Sequence, residues 1–317
     1  MSTIVPKLGT GLHAFQLRLT DIALDMMKRE IAVDANVLRT LAAEVEAAMV
    51  ARRVSVEAIL GAPLDRLNKD GEPTFFRSGP QIKALMERLG QRPGTNRKTG
   101  RDAFDDETLF RIGKRTPQLA PLCHAIMEYR TLGNMRANFI RMRLEPNGRM
   151  RTSWNTTGAE SFRWSSSTNA FWRGANLENI AKPFHSMTGA ILPNLRAAII
   201  PDRGKLLWEP DLAGADAQAV ARDSGDIVLQ QMFREKVKIH AERAKLVYGA
   251  SAGPDGRREP YYTLAKKGGH LWHYCGKSRT MATSLGITVG EADRLVARLA
   301  GIHPGIPAWW RRLDAQV

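Results

Sequence analysis

Helical periodicity constrains this chain more than any other feature. Thr288 and Glu291 stand three residues apart, the spacing at which a hydroxyl and a carboxylate satisfy each other's backbone N–H groups at a helix start. Ala292, Leu295, Val296 and Leu299 follow on one helical face, and Pro304 and Pro307 end the run. The same grammar recurs upstream. Asp34 stands as an N-cap before Val37, Leu38, Leu41 and Val45, and Ser78 and Pro80 open a second helix that buries Ile82, Leu85, Met86 and Leu89. Leu119, Leu122, Ile126 and Tyr129 predict a long helix from about Gln118 to Arg143. Other stretches lack this period. Residues 1–12 hold Pro6, Gly9 and Gly11 and read as a flexible arm, and between residues 91 and 106 RPGTNRKTGRDAFDD reads as an exposed basic loop. Residues 144–182 are rich in Ser, Thr, Asn, Gly and Trp, so strands and ordered loops are expected there. KLLWEPDL, residues 205–212, suits a short strand delivering Asp211 to an edge, with a helix following through Ala215 to Arg222. The fold class is therefore α+β, mostly helical, without an internal repeat.

Charge narrows the partners. The 47 Lys and Arg exceed the 32 Asp and Glu by 15, a surplus that repels itself in a compact state unless a polyanion lies against it. Nucleic acid is the expected partner. No apolar run reaches the length of a membrane span and no secretory signal precedes the first periodic segment, so a membrane is excluded and a cytoplasmic protein expected. Cys123 and Cys275 are too few for a disulfide framework and lack the spacing of a zinc site.

Two places carry candidate chemistry. Lys266, His270 and Tyr274 recur every four residues, so a cation, an imidazole and a phenol project from one strip of a helix. Such a strip can grip a nucleotide, the ammonium meeting phosphate and the rings stacking on base or sugar. A half-buried tyrosine beside a solvated lysine gives the same spacing. Gly268 and Gly269 fall inside this helix, where each costs about 1 kcal/mol relative to alanine, so either the helix starts late or something packs closely against it. Asp211 at a strand end, with Asp216 five residues on, is ambiguous alone. Two hard cations need several oxygen ligands, including at least two carboxylates.

The order of motifs adds a resemblance. RMRTSWNTTGAESFRWSSSTNAFWRGANLENI, residues 149–180, LLWEPDLAGADAQAVARDSGD, IHAERAKLVYG, and the Lys266 strip are similar, in that order, to blocks of family A DNA polymerases. The similarity covers about residues 118–312, fainter back to residue 15, and some phage-type members of the family are similar at Ala215-Asp216-Ala217-Gln218. The resemblance implies an incomplete right-hand polymerase fold: residues 13–145 thumb and palm entry, 146–225 a partial antiparallel palm with the metal aspartate, and 226–317 helical fingers. By position, Asp211 matches the aspartate that binds both Mg2+ ions, with the carbonyl of Leu212 a further ligand. Asp216 stands where the family has the Glu that blocks the ribose 2′-hydroxyl. His240 matches the histidine that touches the triphosphate, and Lys266, His270 and Tyr274 match the nucleotide-gripping fingers helix, Lys266 being counted as catalytic with Asp211. Arg163 matches the arginine that reaches the primer end and Asn179 a neighbouring DNA contact. Arg130 and Arg136, on the long helix, are further DNA candidates. Departures are Glu178 in place of Gln and Tyr262 in place of an arginine.

The resemblance thus implies two-metal deoxynucleotidyl transfer to a primer 3′-hydroxyl, with primer-template DNA and deoxynucleoside triphosphates as partners. The family's second metal carboxylate lies in a His-Asp-Glu hairpin well beyond the fingers helix. The isolated chain is therefore expected to extend primers negligibly unless a second polypeptide supplies the rest of the palm. The alternative is a catalytically inactive relative that holds primer-template DNA. A single-subunit RNA polymerase shares the aspartate, lysine and tyrosine, but the Arg-Trp-Ser-Ser and Asn-Leu-Glu-Asn-Ile blocks stand against it.

Overall fold

The computed structural model describes residues 10–95, 100, 102–158, 163–210 and 212–315. The chain divides into two compact units, Met1–Trp208 and Glu209–Val317.

The first unit opens with α1 (Thr10–Arg29), so helix begins within the expected arm, whose residues 1–9 lie outside the described part. Asp34 then caps α2 (Ala35–Leu60), its carboxylate accepting from the N–H groups of Asn36 at 2.8 Å and Val37 at 3.1 Å. The helix ends at Gly61, whose φ of 64° is the left-handed conformation that glycine adopts without strain. Ser78 caps α3 (Gly79–Arg88) by accepting from Gln81 N. The segment expected as a basic loop is partly ordered: β2 (Gly94–Thr95) pairs antiparallel with β3 (Asp102–Ala103), with 96–99 and 101 outside the described residues. Asp105 then caps α4 (Asp106–Arg115). The expected long helix is α5 (Ala120–Met135), continued by a π turn at Arg136–Ile140. Packing of α2, α4 and α5 builds the core, in which Val45, Val56, Ile82, Leu109, Ile126, Met127 and Leu132 are fully buried. Burial of such side chains contributes about 1.5–3 kcal/mol each.

Strands are short, as the texture of residues 144–182 predicts. β1 (Ile31–Val33) lies between β4 (Arg149–Met150) and β7 (Ile199–Ile200), both antiparallel to it, with Ile31 opposite Met150 and Val33 opposite Ile199. β5 (Thr152–Asn155) pairs with β6 (Ser165–Thr168).

One expected strand is absent. Residues 205–210 are extended without strand pairing, leaving Leu206 90% and Trp208 86% exposed. A strand holds its backbone hydrogen bonds only through a neighbour, and among the described residues nothing pairs with this segment.

The second unit is helical: α6 (Ala215–Ser224), α7 (Ile227–Arg234), α8 (Ile239–Tyr248), α9 (Tyr261–His273), α10 (Ser278–Leu285), α11 (Val289–Ile302) and α12 (Gly305–Asp314). The capping box at Thr288 forms with both reciprocal bonds present. Ala292, Leu295 and Leu299 pack with Leu229, Met281 and Ile306 around Trp272. Pro304 does more than end α11: it is also the residue from which α12 starts, because the first turn of a helix needs no N–H from proline. No helix among the described residues is long and apolar enough to cross a membrane.

Candidate nucleotide-binding face

The exposed strip lies on α9. Lys266, His270 and Tyr274 are all solvent-exposed, Tyr274 by 54%, while Ala265, Gly268, Gly269, Trp272 and His273 form the buried side of the same helix. The His270 and Tyr274 rings meet edge to face, centroids 5.2 Å apart. A cavity of about 420 Å³ opens beside them, lined by Lys266, Lys267, His270, Leu271 and Ser284. The helix periodicity thus separates a chemical face from a packing face.

The glycine pair is explained by close packing, not by a late start. A Cβ at Gly268 would come within 2.7 Å of Leu295 Cδ2, and one at Gly269 within 2.1 Å of Arg243 Nη1. The guanidinium of Arg243, on α8, occupies the space that a side chain at 269 would fill. Arg243 is fully buried; its Nη2 lies 3.0 Å from His273 Nε2, while Nε and Nη1 have no hydrogen-bond partner. Burial pulls its pKa down to about 10.

Burial first, and this cation second, set the protonation of its surroundings. Burial and then the repulsion of Arg243 push the pKa of His273 down to about 3. His240, three residues before Arg243 on α8, falls to about 4 through burial first, then Arg243, Lys266 and His270. His240 is therefore a neutral imidazole at pH 7, and its buried Nδ1 has no partner. Deeper in the unit, His303 Nδ1 lies 3.0 Å from Asp226 Oδ1, while Asp226 also accepts from the N–H groups of Leu229 and Gly305. Burial nonetheless lowers the His303 pKa.

Asp216 is exposed in the first turn of α6, which packs against α9. A carboxylate there is favoured by the unsatisfied N–H groups of the helix start. Leu212 is 77% exposed, and Asp211 lies outside the described residues. Among the described residues no three His, Cys, Asp or Glu side chains gather as ligands, so these residues alone do not make a magnesium site.

The DNA candidates lie on the first unit and divide into two kinds. Arg130 donates to the carbonyls of Phe76 at 2.8 Å and Phe104 at 3.2 Å, and to Asp106 at 2.8 Å. Arg136 is 9% exposed and is held between Glu46 and Glu72. Guanidinium groups so committed hold helices together. Arg163 and Asn179 are exposed, as is Glu178. Sequence reasoning did not single out Arg243 and His273; the signal was an arginine between Ala241, Ala244 and Val247, all buried on one face of α8.

Comparison with known proteins places this geometry in context. The chain is 26% identical over 303 residues to the thermostable DNA polymerase I of Thermus filiformis, covering 93% of this chain and 33% of that protein. It is 27% identical over 312 residues to DNA polymerase I of Chloroflexus aurantiacus, covering 95% and 30% respectively. The chain thus spans about a third of the length of these curated relatives. Its fold matches the POL domain of Pol1 from M. smegmatis, solved in complex with DNA primer-template and dNTP, with a TM-score of 0.73. That match has 19% identity and covers 93% of this chain and 48% of the other. The sequence model of DNA polymerase family A matches residues 66–317, and the chain belongs to that family.

Proposed function

We propose that this chain binds a deoxynucleoside triphosphate on the exposed face of α9 and serves template-directed DNA synthesis. The observation that carries the reading is the strip of Lys266, His270 and Tyr274, exposed together on one helix face above the buried cation of Arg243. Lys266 meets phosphate oxygens as a compact charge, and the edge-to-face pair of His270 and Tyr274 gives sugar and base an aromatic wall. His240, a neutral imidazole, serves the triphosphate as a hydrogen-bond partner without adding charge. Asp216 faces the ribose, and Arg163 and Asn179 contact primer-template DNA.

Asp211 and the carbonyl of Leu212 would be this chain's ligands to magnesium, which would supply charge stabilisation for phosphoryl transfer, and such a site needs at least one further carboxylate, from a second polypeptide or from further palm sequence.

Titration with a fluorescent deoxynucleoside triphosphate tests the site. Lys266→Ala should raise Kd about tenfold, the loss of one charge-assisted phosphate contact, without shifting thermal unfolding, because Lys266 is exposed. Equal affinity in variant and wild type would overturn the assignment. In primer extension with magnesium the isolated chain should be inactive, and Asp211→Ala should abolish any activity that an added partner restores.

A further inference from the structure

The first unit carries an exposed tryptophan in an unusual setting. Between β6 and the Asn176 turn, the chain runs Asn169-Ala170-Phe171-Trp172-Arg173-Gly174, and Trp172 is 77% exposed with a φ of 59°. Bulky residues rarely adopt this left-handed conformation. The turn is nonetheless firmly held. The Asn169 carboxamide oxygen accepts from the N–H groups of Phe171 at 2.9 Å and Arg173 at 3.1 Å, and Asn169 N donates to Arg173 O at 2.9 Å. Below it, Glu145 accepts from Asn169 Nδ2 and Arg173 Nη1, each at 2.9 Å. Gly174 closes the turn at a φ of 79°, and its N–H donates to Arg143 O at 2.7 Å. A side chain at 174 would collide with the Arg151 carbonyl, its Cβ only 2.0 Å away. Several residues thus hold one indole in water, where burial gives it nothing.

Trp172 forms one wall of a groove of about 370 Å³ that it shares with Arg141, Arg143, Asn138, Ser167 and Asn176. Among the described residues no carboxylate lines the groove and none pairs with Arg143; Arg141 faces Glu72 at 3.5 Å but stays 56% exposed. Cations, amide and hydroxyl donors and an aromatic face, on a chain of net charge +15, complement a nucleic-acid strand rather than an apolar peptide.

The geometry points to this groove as a DNA-strand subsite, in which the Trp172 indole packs on a base or sugar and Arg141 and Arg143 neutralise the adjoining phosphates. The inference shares with the proposed polymerase role the premise that the chain binds DNA, but the nucleotide face of α9 has no part in it.

Fluorescence anisotropy of labelled single-stranded and duplex oligonucleotides, over a range of salt concentrations, tests it. Trp172→Ala should weaken binding about tenfold at every salt concentration with the slope against log salt unchanged, because packing on a base releases no counterion. Trp172→Phe should retain most of the affinity. Arg143→Ala should weaken binding and reduce the slope by about one. Ile191→Ala removes a side chain 87% exposed elsewhere on the unit and should leave affinity within twofold. Loss confined to single strands identifies an unstacked base as the contact, and loss on both substrates identifies the sugar. If Trp172→Ala binds within twofold of wild type, or Ile191→Ala loses as much as Trp172→Ala, the subsite is overturned. A wild-type chain that binds neither substrate overturns the shared DNA premise instead.

Discussion

The two units bury positive charge in opposite ways. In the first, buried Arg136 sits between Glu46 and Glu72, and the half-buried Arg130 and Arg52 reach Asp106 and, at 3.0 Å, Glu128, so each of these cations has a carboxylate. In the second, Arg243 is more deeply buried, yet its one side-chain partner is the imidazole of His273. Carboxylates neutralise a guanidinium; imidazoles only hydrogen-bond to it and are kept from taking a proton themselves. The first arrangement ties helices together, whereas the second leaves uncompensated positive potential beneath the face where a triphosphate is proposed to bind.

Paired substitutions give the largest contrast. Arg136→Met removes the cation between Glu46 and Glu72 and should cost about 2 kcal/mol in urea unfolding, below the usual 3–5 because Glu46 is 50% exposed and Glu72 keeps Arg141 at 3.5 Å. Arg243→Met removes a buried charge without a counterion and should leave stability within about 1 kcal/mol or raise it. Equal losses would break the comparison. Next in size, Gly269→Ala forces a methyl group against the Arg243 guanidinium and should cost about 1–3 kcal/mol by overpacking.

Acid should separate the units further. The free imidazole pKa is about 6.5. His240, His273 and His303 are lowered in the folded state, so the unfolded chain binds more protons below that pH. Their stabilising contribution is whole above pH 6.5 and is lost as pH falls toward about 4 for His240 and about 3 for His273. His185 gives the first unit a single such group, lowered chiefly by burial. Hydrogen exchange at pH 7 and 4.5 should show α8 and α9 losing protection while α5 keeps it; parallel loss would remove the distinction. The smallest effect expected is at the α11 cap, where Thr288→Ala should cost about 1 kcal/mol in the second unit alone.

Much of this architecture was legible because helix signals are local. Asp34, Ser78 and Thr288 cap the helices expected of them, and the apolar stripes behind them face the core, except that Leu89 lies just past the end of α3 and is 39% exposed. That Lys266, His270 and Tyr274 share a face follows from spacing alone, and of the two readings the anomalous glycines left open, a late helix start or a close neighbour, the second holds. What occupies their space was not legible, since Arg243 lies on another helix and no local pattern pairs them. The 205–210 segment failed for the converse reason: strand propensity is local, but a strand is a relation between segments. The partners of Arg130 and Arg136 were not legible either, because charge in a sequence does not disclose its partner, and Glu46, Glu72 and Asp106 are distant in sequence.

The fit of the Arg243 guanidinium into the gap at Gly269 makes the two positions one unit of variation. Any side chain at 269 requires a shorter residue at 243, and a shorter residue at 243 alone leaves a void beneath α9. In a double-mutant cycle Gly269→Ala and Arg243→Ala should therefore rescue one another, with a coupling of about 1–3 kcal/mol. Libraries that diversify α9 at position 269 must vary both codons together, or every member with a side chain there meets the Arg243 guanidinium.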